Sequence, residues 1–213
     1  SKFYTGQVIS FVTTDAERTM TVYLGASIGL KKEEAVLSDI KNSRFFYTSA
    51  YVFDSPDLKE TVMSALKIAK DNGVKIAFDL ADSGVIERHK EELKDVIEKY
   101  VDIIFANETE AEKFTGEKDP KTAVFNLSNI TKIAVVKLGD KGSIIKRGEE
   151  IIDVKIRKRK AVDTTGAGDM YAAGFLFALN RTDDLNIAAK IASYASAKIV
   201  EQFGAKLKES IKE

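Results

Sequence analysis

Polar and apolar positions change rhythm twice along the chain. Near the start, Gln7 to Thr13 and Met20 to Leu24 are β-rich stretches separated by a turn at Asp15-Ala16-Glu17, which predicts a hairpin or a lid-like sheet edge. From residue 31 the pattern becomes helix, strand, helix, strand. Lys31 to Asn42 reads as a charged amphipathic helix and Phe45 to Val52 as an apolar strand. Ser55-Pro56 then offers an N-cap and a proline at the first position of a helix that stops at Gly73. Val74 to Leu80 predicts a strand. Val85 to Tyr100 predicts a helix with Ile86, Leu93, Val96 and Ile97 along one stripe, and Asp102 to Ala106 a short buried strand. Further helices open at Asn107 and Pro120, and Ile133 to Leu138 is apolar again. Strands alternating with helices predict an α/β fold with a mostly parallel sheet flanked by helices.

The second change follows Leu138. Ile133 to Leu138, Ser143 to Lys146 and Ile151 to Ile156 are separated by turn residues only, Gly139-Asp140-Lys141-Gly142 and Gly148-Glu149-Glu150, so antiparallel hairpins are expected at one sheet edge. Two long helices, Gly168 to Asn180 and Leu185 to Phe203, complete the pattern, and the Lys/Glu-rich tail after Gly204 is expected to fray.

Composition narrows the chemistry. With 213 residues, 44% of them hydrophobic, the chain can bury one main core. Lys+Arg and Asp+Glu balance at 33 each, so no global field favours nucleic acid or an anionic membrane. The absence of cysteine excludes thiol catalysis and disulfides. His89 is the sole histidine and falls on the polar face of a helix, where a solvated surface role is expected, which argues against a Ser-His-Asp hydrolase. The longest apolar run, Met170 to Leu179, contains Gly174 and is too short to span a bilayer. A soluble, cytoplasmic protein is the expectation.

The chemistry concentrates in Asp163-Thr164-Thr165-Gly166-Ala167-Gly168-Asp169. Val162 is expected to close an extended segment, the glycines to make the turn, and the following helix to begin on the last Asp. A helix start presents N–H donors and a positive dipole end, which favour an anion such as a phosphate. A Cβ at 166 or 168 would obstruct close approach of a ligand to the backbone. Asp169 at the mouth of such a pocket makes sense as a general base for a hydroxyl attacking phosphate. An Asp in the first turn of a helix is also favourable without any function.

The string resembles the signature of the ribokinase-like (PfkB) family of sugar and nucleoside kinases, Asp-Thr-x-Gly-Ala-Gly-Asp, at every fixed position. The resemblance implies that Asp169 is the catalytic base and that the amides of Gly166, Ala167, Gly168 and Asp169 hold the transferring phosphoryl group. It implies ATP and Mg²⁺ as cofactors, with Asp163 and Thr165 as a candidate site for a monovalent cation such as K⁺. Asn107 and Glu110 match the family's Asn-x-x-Glu motif, associated with magnesium and phosphate, and Glu110 is expected to act largely through water. The same two residues read equally as a helix capping box. Gly139 and Gly142 match a Gly-x-x-Gly that lines the ATP site in the family. Lys137 stands where members often have Thr, and could supply charge in place of a hydroxyl. Without the resemblance, the segment is a glycine-containing hairpin turn.

Further correspondences implied by the resemblance are Arg18 on the phosphate side of the site, with a surface arginine as the alternative, and a nucleotide-side position at Thr165. Ser193 stands where members commonly have Asn, next to an adenine contact. The basic run Lys155 to Lys160 reads as a solvated edge strand, with electrostatic help to ATP binding as the other option. The branch resembled most is adenosine-kinase-like.

The family's first strands, most of its lid and its Gly-Gly sugar-binding motif have no counterpart here. Residues 1–27 are accordingly read as a remnant of lid or edge strands, and 28–213 as the ribokinase-like α/β nucleotide-binding and catalytic domain. The implied activity is ATP-dependent phosphoryl transfer to a hydroxyl of a sugar or nucleoside, adenosine-like acceptors being slightly preferred. The alternative is an inactive nucleotide-binding fragment or one part of a split kinase. Expected partners are ATP, a small hydroxyl-bearing substrate, and either a homodimer mate or a missing N-terminal half.

Overall fold

The computed structural model describes residues 4–14, 18–156 and 159–208, with Arg18 described in its backbone alone. β1 (Gln7–Val12) and β2 (Arg18–Tyr23) form the expected antiparallel hairpin, Gln7 facing Tyr23 and Val12 facing Arg18. The turn predicted at 15–17 lies outside the described residues.

The alternating pattern then produces β3 (Phe45–Ser49), α1 (Pro56–Asp71), β4 (Lys75–Asp79), α2 (Ser83–Tyr100), β5 (Ile103–Asn107), α3 (Glu108–Thr115), α4 (Pro120–Ser128) and β6 (Ile133–Lys137). β7 (Ser143–Arg147), β8 (Glu150–Val154), α5 (Ala167–Leu179) and α6 (Leu185–Ile199) follow. Among the described residues, a six-stranded sheet has the order β3-β4-β5-β6-β7-β8. Its first four strands are parallel, with Phe46 opposite Ile76, Phe78 opposite Ile104, and Ile104 opposite Ala134. β4, β5 and β6 are buried along nearly their whole length, as the near-continuous apolar runs of parallel strands require. The links from β6 to β7 and from β7 to β8 are far shorter than a parallel crossover requires, so both steps are antiparallel.

Two compact units make up the described chain. The first comprises Leu24–Leu138 and Ile144–Ile151, with residues 4–5. Its core is built from the fully buried Phe78, Ile76, Ile104, Leu66, Leu93 and Ile97, to which α1, α2 and the parallel strands all contribute. The second comprises Gly6–Tyr23, Gly139–Ser143 and residues 152–208. It centres on α5 against α6, with Phe175, Ala178, Ala188 and Ala192 buried. Close approach is required there: a Cβ on Gly174 would lie 2.9 Å from Ala192 Cα.

Several local expectations change. Lys31 to Asn42 is two 3-10 segments, Lys32–Glu34 and Leu37–Asn42, separated by extended Ala35, and not one amphipathic helix. Leu37 and Ile40 pack on the core, and their spacing of three suits the tighter helix. The strand predicted over Phe45 to Val52 ends at Ser49, with a 3-10 turn over Ala50–Asp54. Ser55 occupies the N-cap of α1, but its hydroxyl donates to Ile28 O at 2.7 Å instead of capping the helix. His89 is only half-solvated. Its Nε2 lies 3.0 Å from Asp54 Oδ1, Arg88 binds the same carboxylate, and a break in α2 helicity falls at His89 itself. Among the described residues, no strand leads into Val162, whose N–H is held by Val200 O at 2.7 Å in an irregular segment. Arg157 and Lys158, in the basic run, and the tail at 209–213 lie outside the described residues.

Candidate functional site

In the first unit, three parallel strands end on polar residues. Asp79 closes β4, Asn107 closes β5 and Lys137 closes β6, at the carboxyl edge where parallel α/β sheets bind ligands. Lys137 Nζ lies 2.8 Å from Asp79 Oδ2, with both side chains largely buried. Asp79 Oδ1 accepts from the Ala81 N–H at 2.9 Å, and Ala81 sits at φ 58, a left-handed conformation rare for alanine. Backbone strain of this kind persists only where its surroundings hold it, and the Asp79 carboxylate supplies one such hold.

Asn107 and Glu110 form the predicted capping box on α3. Asn107 Oδ1 accepts from Glu110 N at 2.8 Å, while Glu110 accepts from Asn107 N at 2.8 Å and from Asn107 Nδ2 at 2.6 Å. Glu110 is buried, and burial raises its pKa to about 7 against the pull of Lys137, with Asp79 adding to the rise. Both Glu110 oxygens are therefore already engaged by Asn107. That leaves them suited to bind a hydrated Mg²⁺ through water, since the ion keeps much of its own shell. Among the described residues, no cluster of three acidic side chains could hold a metal ion unaided.

In the second unit, Gly166 is the N-cap of α5 with φ 80. A Cβ there would meet Ala205 Cβ at 2.9 Å, so glycine is required by the chain's own packing. Asp163 is buried beneath this turn. Its Oδ1 accepts from Thr165 N at 2.8 Å and its Oδ2 from Gly204 N at 2.9 Å, which clamps the turn to the segment after α6. Thr165 Oγ1 is buried without a hydrogen-bond partner. The Ala167 N–H donates to Thr164 O at 3.2 Å, so an anion at the start of α5 would compete for that amide. Asp169, in the first turn, is exposed.

The two glycines of the Gly-x-x-Gly differ. Gly142 has φ 109, and a Cβ on it would lie 1.8 Å from Val154 O, which makes glycine a structural necessity. Gly139 has φ 59 with nothing within 4 Å of its Cβ position, an open approach that a side chain would fill. Ser193 is buried, and its Oγ lacks a hydrogen-bond partner. Arg18 begins β2, and its side chain lies outside the described residues.

The sequence pattern did not point to Asp79 or Ala81. The rule that ligands meet the carboxyl ends of parallel strands could have found Asp79, which ends β4 as Asn107 ends β5. The conformation of Ala81 left no signal in the sequence, because alanine carries none of the usual marks of a left-handed residue.

The fold and both sets of residues define a class, and comparison with known proteins gives it a family. Residues 4–212 match the pfkB family carbohydrate kinase, and the chain belongs to that family. It is similar to a ribokinase of Staphylococcus aureus, 29% identical over 209 residues, which take in 94% of this chain and 65% of the relative. The structure of an adenosine kinase from Sinorhizobium meliloti is 35% identical with a TM-score of 0.93, covering 97% of this chain and 64% of that one. A probable sugar kinase structure from Rhizobium etli is 33% identical with a TM-score of 0.94, covering 98% and 64%. The chain thus spans a little under two thirds of the length of these relatives. No helix among the described residues is long and apolar enough to cross a membrane.

Proposed function

We propose that this chain is the nucleotide-binding and catalytic part of a kinase that moves the γ-phosphoryl group of ATP to a hydroxyl of a sugar or nucleoside. The observation that carries the reading is the start of α5, where left-handed Gly166 leads into a helix whose first turn exposes Asp169. Kinases of this family use ATP with Mg²⁺. The ribokinase and adenosine kinase relatives support a sugar or nucleoside acceptor, and the identity of 35% to the adenosine kinase inclines the choice to adenosine-like nucleosides.

Asp169 accepts the proton of the acceptor hydroxyl as its oxygen bonds to the γ-phosphorus, and the phosphorus–oxygen bond to ADP breaks. The Gly166, Gly168 and Asp169 amides, joined by Ala167 when its N–H leaves Thr164 O, orient the phosphoryl oxygens at the helix start. Open space over Gly139 admits the nucleotide, while Gly142 fixes that turn against Val154. Mg²⁺ would neutralise phosphate charge, with Glu110 and Asn107 holding its water shell. Lys137, paired with Asp79, opposes the burial that raises the Glu110 pKa and so favours its ionised form in that role. At the candidate monovalent-cation site, Thr165 Oγ1 has no competing partner, while Asp163 would contribute charge from a carboxylate whose oxygens already accept from Thr165 N and Gly204 N. Ser193 and Arg18 belong to the nucleotide and phosphate sides respectively by resemblance.

The test is Mg²⁺-dependent ADP release by the purified chain across adenosine, other nucleosides, ribose and fructose phosphates. Hydroxyl-dependent release supports the proposal and ranks the acceptors. Binding of ATP with no transfer to any acceptor would favour the second reading, a nucleotide-binding part that needs the rest of a longer kinase, consistent with coverage of 64–65% of the relatives. Absence of ATP binding would overturn both.

A further inference from the structure

The second unit holds a pair of buried hydroxyls that the proposed chemistry does not use. Tyr171 is 4% exposed, and its phenol lies 2.7 Å from Ser143 Oγ, which is itself fully buried. Burial pushes the phenol up to about 12, so the pair stays neutral and shares one hydrogen bond. Ser193 Oγ on α6 is also close enough to the phenol to oppose the effect of burial, as Ser143 does, but the hydrogen bond with formed geometry is the one between Tyr171 and Ser143. The ring stacks on Phe175, one turn further along the helix, with centroids 6.3 Å apart.

The position of this bond matters more than its strength. Tyr171 follows Asp169 by two residues on α5, and at about 100° per residue the two side chains leave the helix on nearly opposite sides. Asp169 is exposed and Tyr171 is buried, as that geometry requires. Fixing the buried side therefore fixes the direction of the exposed one. Ser143 directly follows Gly142, where a Cβ would collide with Val154 O, so the partner hydroxyl is carried beside a turn packed closely on the backbone of β8. Gly174 against Ala192 secures α5 on α6 farther from the helix start. The hydroxyl pair secures the end that bears Gly166 to Asp169.

We infer that Tyr171 is a positioning residue, which through Ser143 locks the rotation of the first turn of α5 to the Gly139–Gly142 turn and so sets the two nucleotide-facing elements of this unit in register. The inference rests on the reading of that unit as nucleotide-binding. The chain as it exists is titrated with ATP by calorimetry, as wild type, Tyr171→Phe, Ser143→Ala and the double variant, with thermal unfolding followed on each. Each single change is expected to weaken ATP binding about fivefold, the equivalent of one net hydrogen bond. The double variant should be no weaker than either single, because both remove the same bond. Where transfer is measurable, KM for ATP rises and KM for the acceptor stays put.

Lowered unfolding temperatures with unchanged ATP affinity would overturn the inference and leave the kinase reading standing. Additive losses in the double variant would also overturn it. If the wild type binds no ATP, both the inference and the kinase reading fall. If one single variant fails to fold, the other decides between these outcomes by itself.

Discussion

The strand ends of the first unit and the helix start of the second treat their polar groups in opposite ways. At the ends of β4, β5 and β6, polar groups are answered from within: Lys137 by Asp79, Ala81 N–H by the same carboxylate, and Glu110 by Asn107. At the start of α5, Asp163 is consumed in clamping the turn, but Thr165 Oγ1 is left without a partner and Asp169 faces solvent. The difference separates groups the fold needs from groups it can spare. A self-satisfied cluster is expensive to break and acts on a ligand at second hand, whereas a spared carboxylate at a helix start can be changed without unfolding anything.

Stability measurements sharpen that contrast, beginning with the largest effect. Asp79→Ala leaves the Lys137 ammonium buried and unpaired and releases the hold on Ala81, so urea denaturation should show a loss of about 3–5 kcal/mol. A loss below about 1 kcal/mol would mean that the pair is solvated and that the two regions are not different in kind.

Glu110 gives the next effect, and its sign is specific. Its carboxyl pKa rises on folding from 4.5 to about 7, so the native state holds this proton more tightly than the unfolded chain does. Its contribution to stability is therefore greatest at low pH, is lost as pH rises through about 7, and is absent above it. The span is about 3 kcal/mol, the free-energy equivalent of that displacement. Glu110→Gln should flatten the unfolding profile over this range, and an unaltered pH dependence would contradict the burial of a strained acid there. Smallest is Asn107→Ala, which removes the cap of α3 at a cost of about 1 kcal/mol, read from the unfolding midpoint.

How much of this was legible depended on how local the cause was. The helix-strand alternation from α1 to β6 and the capping box at Asn107 and Glu110 follow from residues within one turn or one strand, and each appears where its pattern placed it. The segment Lys31 to Asn42 misled because charged residues at helical spacing say little when the residues that pack on the core, Leu37 and Ile40, are spaced for the tighter helix. Val162 misled because its partner, Val200 O, lies beyond two intervening helices in sequence. Asp79 and Lys137 are 58 positions apart, and no local pattern announces an ion pair of that separation. Gly166 was legible as a special residue for an incomplete reason: ligand approach was anticipated, and Ala205 is the atom-level obstacle the chain itself supplies. His89 was placed on a polar face, but the face is one that Asp54 reaches.

Under the proposed function Asp169 is a group that the fold spares and phosphoryl transfer uses, and one variant tests both parts together. Asp169→Asn is assayed for unfolding free energy, for ATP affinity and for turnover on whichever acceptor the wild type phosphorylates. Stability should stay within about 0.5 kcal/mol of wild type, ATP affinity should change little, and turnover should fall about 10²- to 10⁴-fold. Turnover at the wild-type rate would contradict that role.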